Sequence, residues 1–96
     1  MLSEIEYFVN WVRRRNPDAR TWKDYGYDLN QFVASVGDRP PNAVTIQDID
    51  HFIIQQVTQG MKPATVNRRL AAITSLYHFL SDEDTQLLNP VLPHQQ

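Results

Sequence analysis

An all-α fold of four helices is what this sequence predicts, on three observations. Apolar residues recur at intervals of three and four in four separate segments, residues that start or stop helices stand between those segments, and no segment sustains the two-residue alternation of a strand. No internal repeat or low-complexity tract is present. The 96 residues make one domain, long enough for a modest single core and too short for two.

The first helix is expected from Ser3, where Ser3 and Glu6 have capping-box spacing, through Ile5, Phe8, Val9 and Val12, ending before Asn16-Pro17. The second carries Trp22, Tyr25, Leu29, Phe32, Val33 and Val36 on one stripe and stops at Gly37. Gly26 inside it costs about 1 kcal/mol relative to Ala, so that helix depends on packing. After Pro40-Pro41, Thr45 is placed to cap a third helix, with Asp48 three residues on, followed by Ile46, Ile49, Phe52, Ile53 and Val57 and ended by Gly60. The fourth begins at Pro63, where a missing N–H costs nothing, and its apolar set is Val66, Leu70, Ile73, Tyr77 and Leu80. The tail "LLNPVLPHQQ" has the prolines and polar end of a flexible linker, so the domain is expected over 1–88 and the start of a linker over 89–96.

Composition excludes several classes of function. Aromatic residues at 10% and hydrophobic residues at 42% are those of a folding domain, not a disordered tail. The absence of Cys removes disulfides, thiolate metal sites and a Cys nucleophile, and fits a reducing compartment. No apolar run approaches the roughly 18 residues of a membrane span, and "MLSEIEYF" is acidic where a signal peptide is basic. The expectation is a soluble, cytoplasmic protein with no membrane partner. His51, His78 and His94 lack metal-ligand spacing, the serines lack a nucleophile-elbow context, and there is no Gly-rich phosphate loop. Neither a metal, a cofactor nor a catalytic constellation is expected.

What remains is an uneven distribution of charge. The net charge is -2, yet "KPATVNRRLAAITSLYHFL", residues 62–80, holds three cations and no Asp or Glu. Two adjacent arginines are either a solvated helix face or a ligand surface; solvated helices ordinarily mix both signs to gain i,i+4 pairs, and the absence of acid over this length favours the second. Lys62 precedes the fourth helix, and Thr65, Asn67, Arg68 and Arg69 crowd its first turns, with Arg69 at the edge of the apolar stripe. Free N–H groups and the positive end of the helix dipole lie there too, which suits a phosphate; an Arg fork or an Asn amide can also read a base edge. Thr65, Arg68, Ala72 and Phe79 are expected on the opposite or flanking side from Val66 and Leu70.

Arg20 and Lys23 stand at the start of the second helix, where the dipole disfavours cations and phosphate contact gives them a reason. Tyr27 lies off the apolar stripe, as a rim residue or a groove-facing donor, and Trp11 as a local packing residue or a partner surface. Arg13-Arg14-Arg15 serves either the dipole at a helix C-terminus or a DNA backbone.

"TWKDYGYDLNQFVASVG", the run Thr45 to Ile49 and "MKPATVNRRLAAITSLYHFLSDEDTQLLNP" together resemble the N-terminal SAM-like, or core-binding, domain of the tyrosine recombinase (phage integrase) family over nearly the whole chain. The ordered combination of T-x-x-x-Y-x-x-D-L-x-x-F, T-V-N-R-R-L-A-A-I and Asn89-Pro90 carries the resemblance. It implies a compact orthogonal bundle that forms one half of a clamp on double-stranded DNA and is itself non-catalytic. Catalysis would belong to another domain of the parent chain, and other recombinase protomers would join on the DNA. The resemblance puts Lys62, Thr65, Arg68 and Arg69 at the DNA, brings Arg20, Lys23 and Tyr27 toward the same duplex, and assigns Tyr25, Leu29 and Phe32 to the core. Where the family often has basic residues in the middle of the second helix, this chain has Asp24, Gly26 and Asp28. The alternatives are a helical protein-protein interaction module and a standalone DNA-binding regulator.

Overall fold

Four α-helices follow one another, α1 over Leu2–Arg15, α2 over Thr21–Val36, α3 over Ile46–Thr58 and α4 over Pro63–Ser81. They come from a computed structural model that describes residues 1–95. Short 3-10 turns lie at Pro41–Ala43 and Pro93–Gln95, and no strand occurs among the described residues. None of these helices is long and apolar enough to cross a membrane.

Helix α1 starts differently from the Ser3 and Glu6 expectation. Met1 is its N-cap, and the Ser3 hydroxyl turns to Glu4 instead. The α-ammonium of Met1 donates to Asp38 Oδ1 at 2.7 Å and the Leu2 N–H to the same oxygen at 2.9 Å. A carboxylate from just beyond α2 therefore satisfies the first N–H groups of α1, a role that a cap within α1 itself would otherwise take. Helix α2 stops where expected: Gly37 has φ 90, and its N–H reaches the Val33 carbonyl at 2.7 Å.

Helix α3 has the expected capping box, with the Thr45 hydroxyl accepting from the Asp48 N–H and the Asp48 carboxylate accepting from the Thr45 N–H at 2.8 Å. Arg39 adds an ion pair to that carboxylate at 2.8 Å. Helix α4 opens with Pro63 as predicted, after Lys62, whose carbonyl accepts from the N–H groups of Thr65 and Val66.

Helices α2 and α4 form the central pair: each packs on the other and on both α1 and α3. Leu29, Phe32, Ile49, Phe52, Leu70, Ile73 and Leu76 are fully buried between them, and each such side chain contributes about 1.5–3 kcal/mol. Phe32 and Phe52 meet edge to face at 5.2 Å, tying α2 to α3.

The buried face of α4 is wider than its predicted stripe. Ala72, expected on the outer or flanking side, is 1% exposed, and Phe79 is half-buried against Phe8 at 5.2 Å and Trp11 at 5.0 Å of α1. Neighbouring helices cover both flanks because α1, α2 and α3 all pack on α4, which leaves one outer face exposed at Ala64, Asn67, Arg68, Ala71 and His78. Tyr77 reaches across it to donate its hydroxyl to the Pro41 carbonyl at 2.6 Å.

The stretch read as the start of a flexible linker lies against the bundle as far as Gln95. Val91 is buried in the core, Asn89 accepts from the Val91 N–H at 3.0 Å, and Gln95 Nε2 donates to Asp50 at 2.7 Å. Gln96, the last residue of that expected linker, lies outside the described residues.

Candidate nucleic-acid interface

The two adjacent arginines of α4 go to different places. Arg68 keeps 55% of its side-chain surface, and its Nε and Nη2 donate to the two oxygens of Asp28 on α2, each at 2.9 Å. Arg69, one residue on and so about 100° round the helix, is 4% exposed. Its Nε stands 3.5 Å from Asp28 Oδ1, its Nη1 donates to Gln56 of α3, and its guanidinium carbon lies 5.8 Å from the Tyr27 ring. Arg69 thus faces inward, away from the surface where the sequence and the resemblance put it. Its long side chain crosses the edge of the apolar stripe to reach a carboxylate and an amide that the other two helices supply.

Asp28 is 1% exposed, accepts two hydrogen bonds from Arg68 and pairs by charge alone with Arg69, whose buried Nε has no hydrogen-bond partner among the described residues. A buried carboxylate is costly to desolvate, and two guanidiniums are what offset that cost. Its hydrogen bonds to Asp28 push the Arg68 guanidinium further above its ordinary pKa, so it stays a cation at every working pH. The first turn of α4 has no acid of its own, and the one carboxylate bound to its arginines comes from α2.

The remaining predicted residues divide between the two helices. On α4, Lys62 and Asn67 are exposed and Thr65 is half-buried. On α2, Arg20, Lys23 and Tyr27 occupy one face at spacings of three and four and are all exposed. Arg20 makes only a long pair with Asp24, at 3.7 Å, and keeps 84% of its side-chain surface. Arg20 lies eight residues before Asp28, about 12 Å along α2, and Lys62 six before Arg68, about 9 Å along α4. The Asp28–Arg68 contact is thus where the two rows meet, with Arg20 and Lys62 well away from it.

Sequence reading did not find the arginines stacked on tryptophans. Arg13 lies 4.9 Å from the Trp22 ring, Lys23 5.4 Å from the same ring, and Arg15 4.2 Å from Trp11. These stacks hold part of the basic cluster at the α1–α2 turn in fixed positions. The signal was the interleaving of Trp and Arg between Trp11 and Lys23, which says nothing by itself about which ring meets which cation. No set of three His, Asp or Glu side chains able to hold a metal comes together among the described residues.

Residues 5–84 match the family described as phage integrase, N-terminal SAM-like domain, and the chain belongs to that family. It is 31% identical over 86 residues to a tyrosine recombinase XerC of Chlorobaculum tepidum, covering 80% of this chain and 26% of that protein. It is 32% identical over 102 residues to a XerC of Pelotomaculum thermopropionicum, covering 96% and 33% respectively. A tyrosine recombinase of Agathobacter rectalis is 27% identical over 84 residues, covering 88% of this chain and 27% of its own length. The chain therefore spans between a quarter and a third of the length of these curated relatives. No solved structure gives a significant match.

Proposed function

We propose that this chain is the DNA-gripping, core-binding domain of a tyrosine recombinase and is itself non-catalytic. Its partners would be double-stranded DNA, the catalytic domain of the same parent chain and other recombinase protomers. The carrying observation is the Arg68 guanidinium, half exposed on an acid-free helix and held at a fixed orientation by Asp28. Lys62, Thr65 and Asn67 at the start of α4 and Arg20, Lys23 and Tyr27 at the start of α2 would add contacts farther along the duplex, with Arg69 acting from behind Arg68. A few phosphate contacts give a dissociation constant on the order of 10⁻⁴ to 10⁻⁶ M for non-specific duplex, falling steeply with salt.

The test is duplex binding by fluorescence anisotropy across a salt series. Arg68→Ala and Lys62→Ala should each flatten the slope of log affinity against log salt by about one. Unchanged slopes in both variants would remove this surface from the interface.

A second reading, a protein-interaction module, is favoured by an open groove of about 490 Å³ between α1, α2 and the C-terminal half of α4, lined by Trp11, Tyr25 and Phe79. Self-association of the chain with no salt-dependent duplex binding would support it over the first.

A further inference from the structure

We infer that Arg68 reads a guanine in the major groove and that Asp28 is its positioning residue, an inference that rests on the DNA-binding reading above. A guanidinium has two edges that can pair bidentately. The Nε and Nη2 edge of Arg68 is taken by the Asp28 carboxylate with two bonds of 2.9 Å. That leaves the end of the fork, Nη1 and the second N–H of Nη2, outside the carboxylate's grip on a side chain 55% exposed.

A fork held at its base has a fixed plane and direction. An unrestrained arginine loses rotamer freedom when it binds, whereas here the carboxylate has removed most of that freedom beforehand. A phosphate accepts from many directions and gains little from such fixing. The O6 and N7 atoms of guanine lie side by side in one plane, and a coplanar fork meets both.

The buried charges support the same assignment. Asp28 alone would cancel Arg68 and leave a neutral pair facing a polyanion. Arg69, 5% exposed and 3.5 Å from the same carboxylate, supplies a second positive charge from inside, so the three groups together carry one net positive charge. Gln56 and the Tyr27 ring hold Arg69 in place without adding charge. The carboxylate can therefore orient Arg68 without abolishing its attraction for DNA.

The test uses the 96-residue chain and a randomised duplex pool. Selection with the wild type should enrich guanine at one position, and replacing that guanine with 7-deazaguanine, which lacks N7, should weaken binding about tenfold. Arg68→Lys keeps the charge but not the fork. It should retain the salt slope but, no longer oriented by two bonds to Asp28, show a smaller deazaguanine penalty.

Asp28→Asn should lose the penalty. Because that change leaves Arg69 buried without its carboxylate, Asp28→Asn combined with Arg69→Met serves as the folded control, removing both buried charges together. It keeps Arg68 and should show no deazaguanine penalty. A penalty retained in the double variant would overturn the role of Asp28. A wild type with no guanine preference, whose salt slope still falls on Arg68→Ala, would make Arg68 a phosphate contact and overturn the inference while leaving the grip intact. A wild type that binds no duplex at any salt would instead overturn the DNA-binding reading itself.

Discussion

Arg69 of α4 and Gln56 of α3 face each other inside the protein, the guanidinium Nη1 donating to the amide oxygen of a residue only 3% exposed. The contact joins the two helices through polar atoms and, with Asp28 of α2 beside Arg69, makes a small buried polar cluster. Arg69→Ala removes a donor from Gln56 and a cation from Asp28 together, and should lower unfolding free energy by about 3 kcal/mol. Arg68→Ala leaves Arg69 beside Asp28 and should cost less. Urea denaturation of the two variants side by side checks the order.

Tyr77 is 1% exposed and gives its hydroxyl proton to the Pro41 carbonyl at 2.6 Å. Burial pushes its phenol well above the ordinary value, so the group remains a neutral donor across the working pH range. Tyr77→Phe leaves the Pro41 carbonyl without that donor and should cost about 1 kcal/mol. In alkaline titration followed by tyrosine absorbance, one of the four tyrosines should ionise only as the protein unfolds.

The α3 capping box predicts an acid limb to the stability curve. Hydrogen bonding from the Thr45 N–H, aided by Arg39, holds the Asp48 carboxyl below its ordinary value of 3.8. The unfolded chain therefore binds more protons than the folded one in that range, and stability rises with pH there. The contribution is fully present above 3.8 and disappears as pH falls through the lowered folded value. Asp48→Asn should flatten part of the acid limb, and Thr45→Ala should cost about 1 kcal/mol at neutral pH. Part of the limb should survive in Asp48→Asn, because the Met1 ammonium and the Leu2 N–H hold Asp38 down in the same way.

Gly26 has no structural need to be glycine. It lies within α2, and a Cβ built there would meet only the two methyl groups of Val9, each at an ordinary 3.9 Å. Gly26→Ala should stabilise the protein by about 0.5–1 kcal/mol through helix propensity and raise the melting temperature by several degrees. A calorimetric scan of the single variant suffices.

Features set by neighbours in the chain were readable in advance. Gly37 stops α2, Thr45 and Asp48 cap α3, and Pro63 opens α4, because each depends on residues three or four positions away. Features set by distant partners were not. Asp38 caps α1 from 36 residues away, and Asp28 takes hold of Arg68 from 40 away. Periodicity put Arg69 at the edge of the core stripe but could not say that Gln56 waited on the inner side. Ala72 and Phe79 were read as opposite or flanking the stripe because a stripe drawn on one helix takes no account of how many neighbours surround it. For the same reason the acid-free stretch could not separate the arginine that faces out from the one that faces in.

Pulling on Arg68 amounts to pulling on the entire domain. Its guanidinium is bolted to α2 at Asp28, its backbone belongs to α4, and these two helices each brace both of the others. A displacement of that one side chain is therefore felt first by the two helices that every other helix packs against.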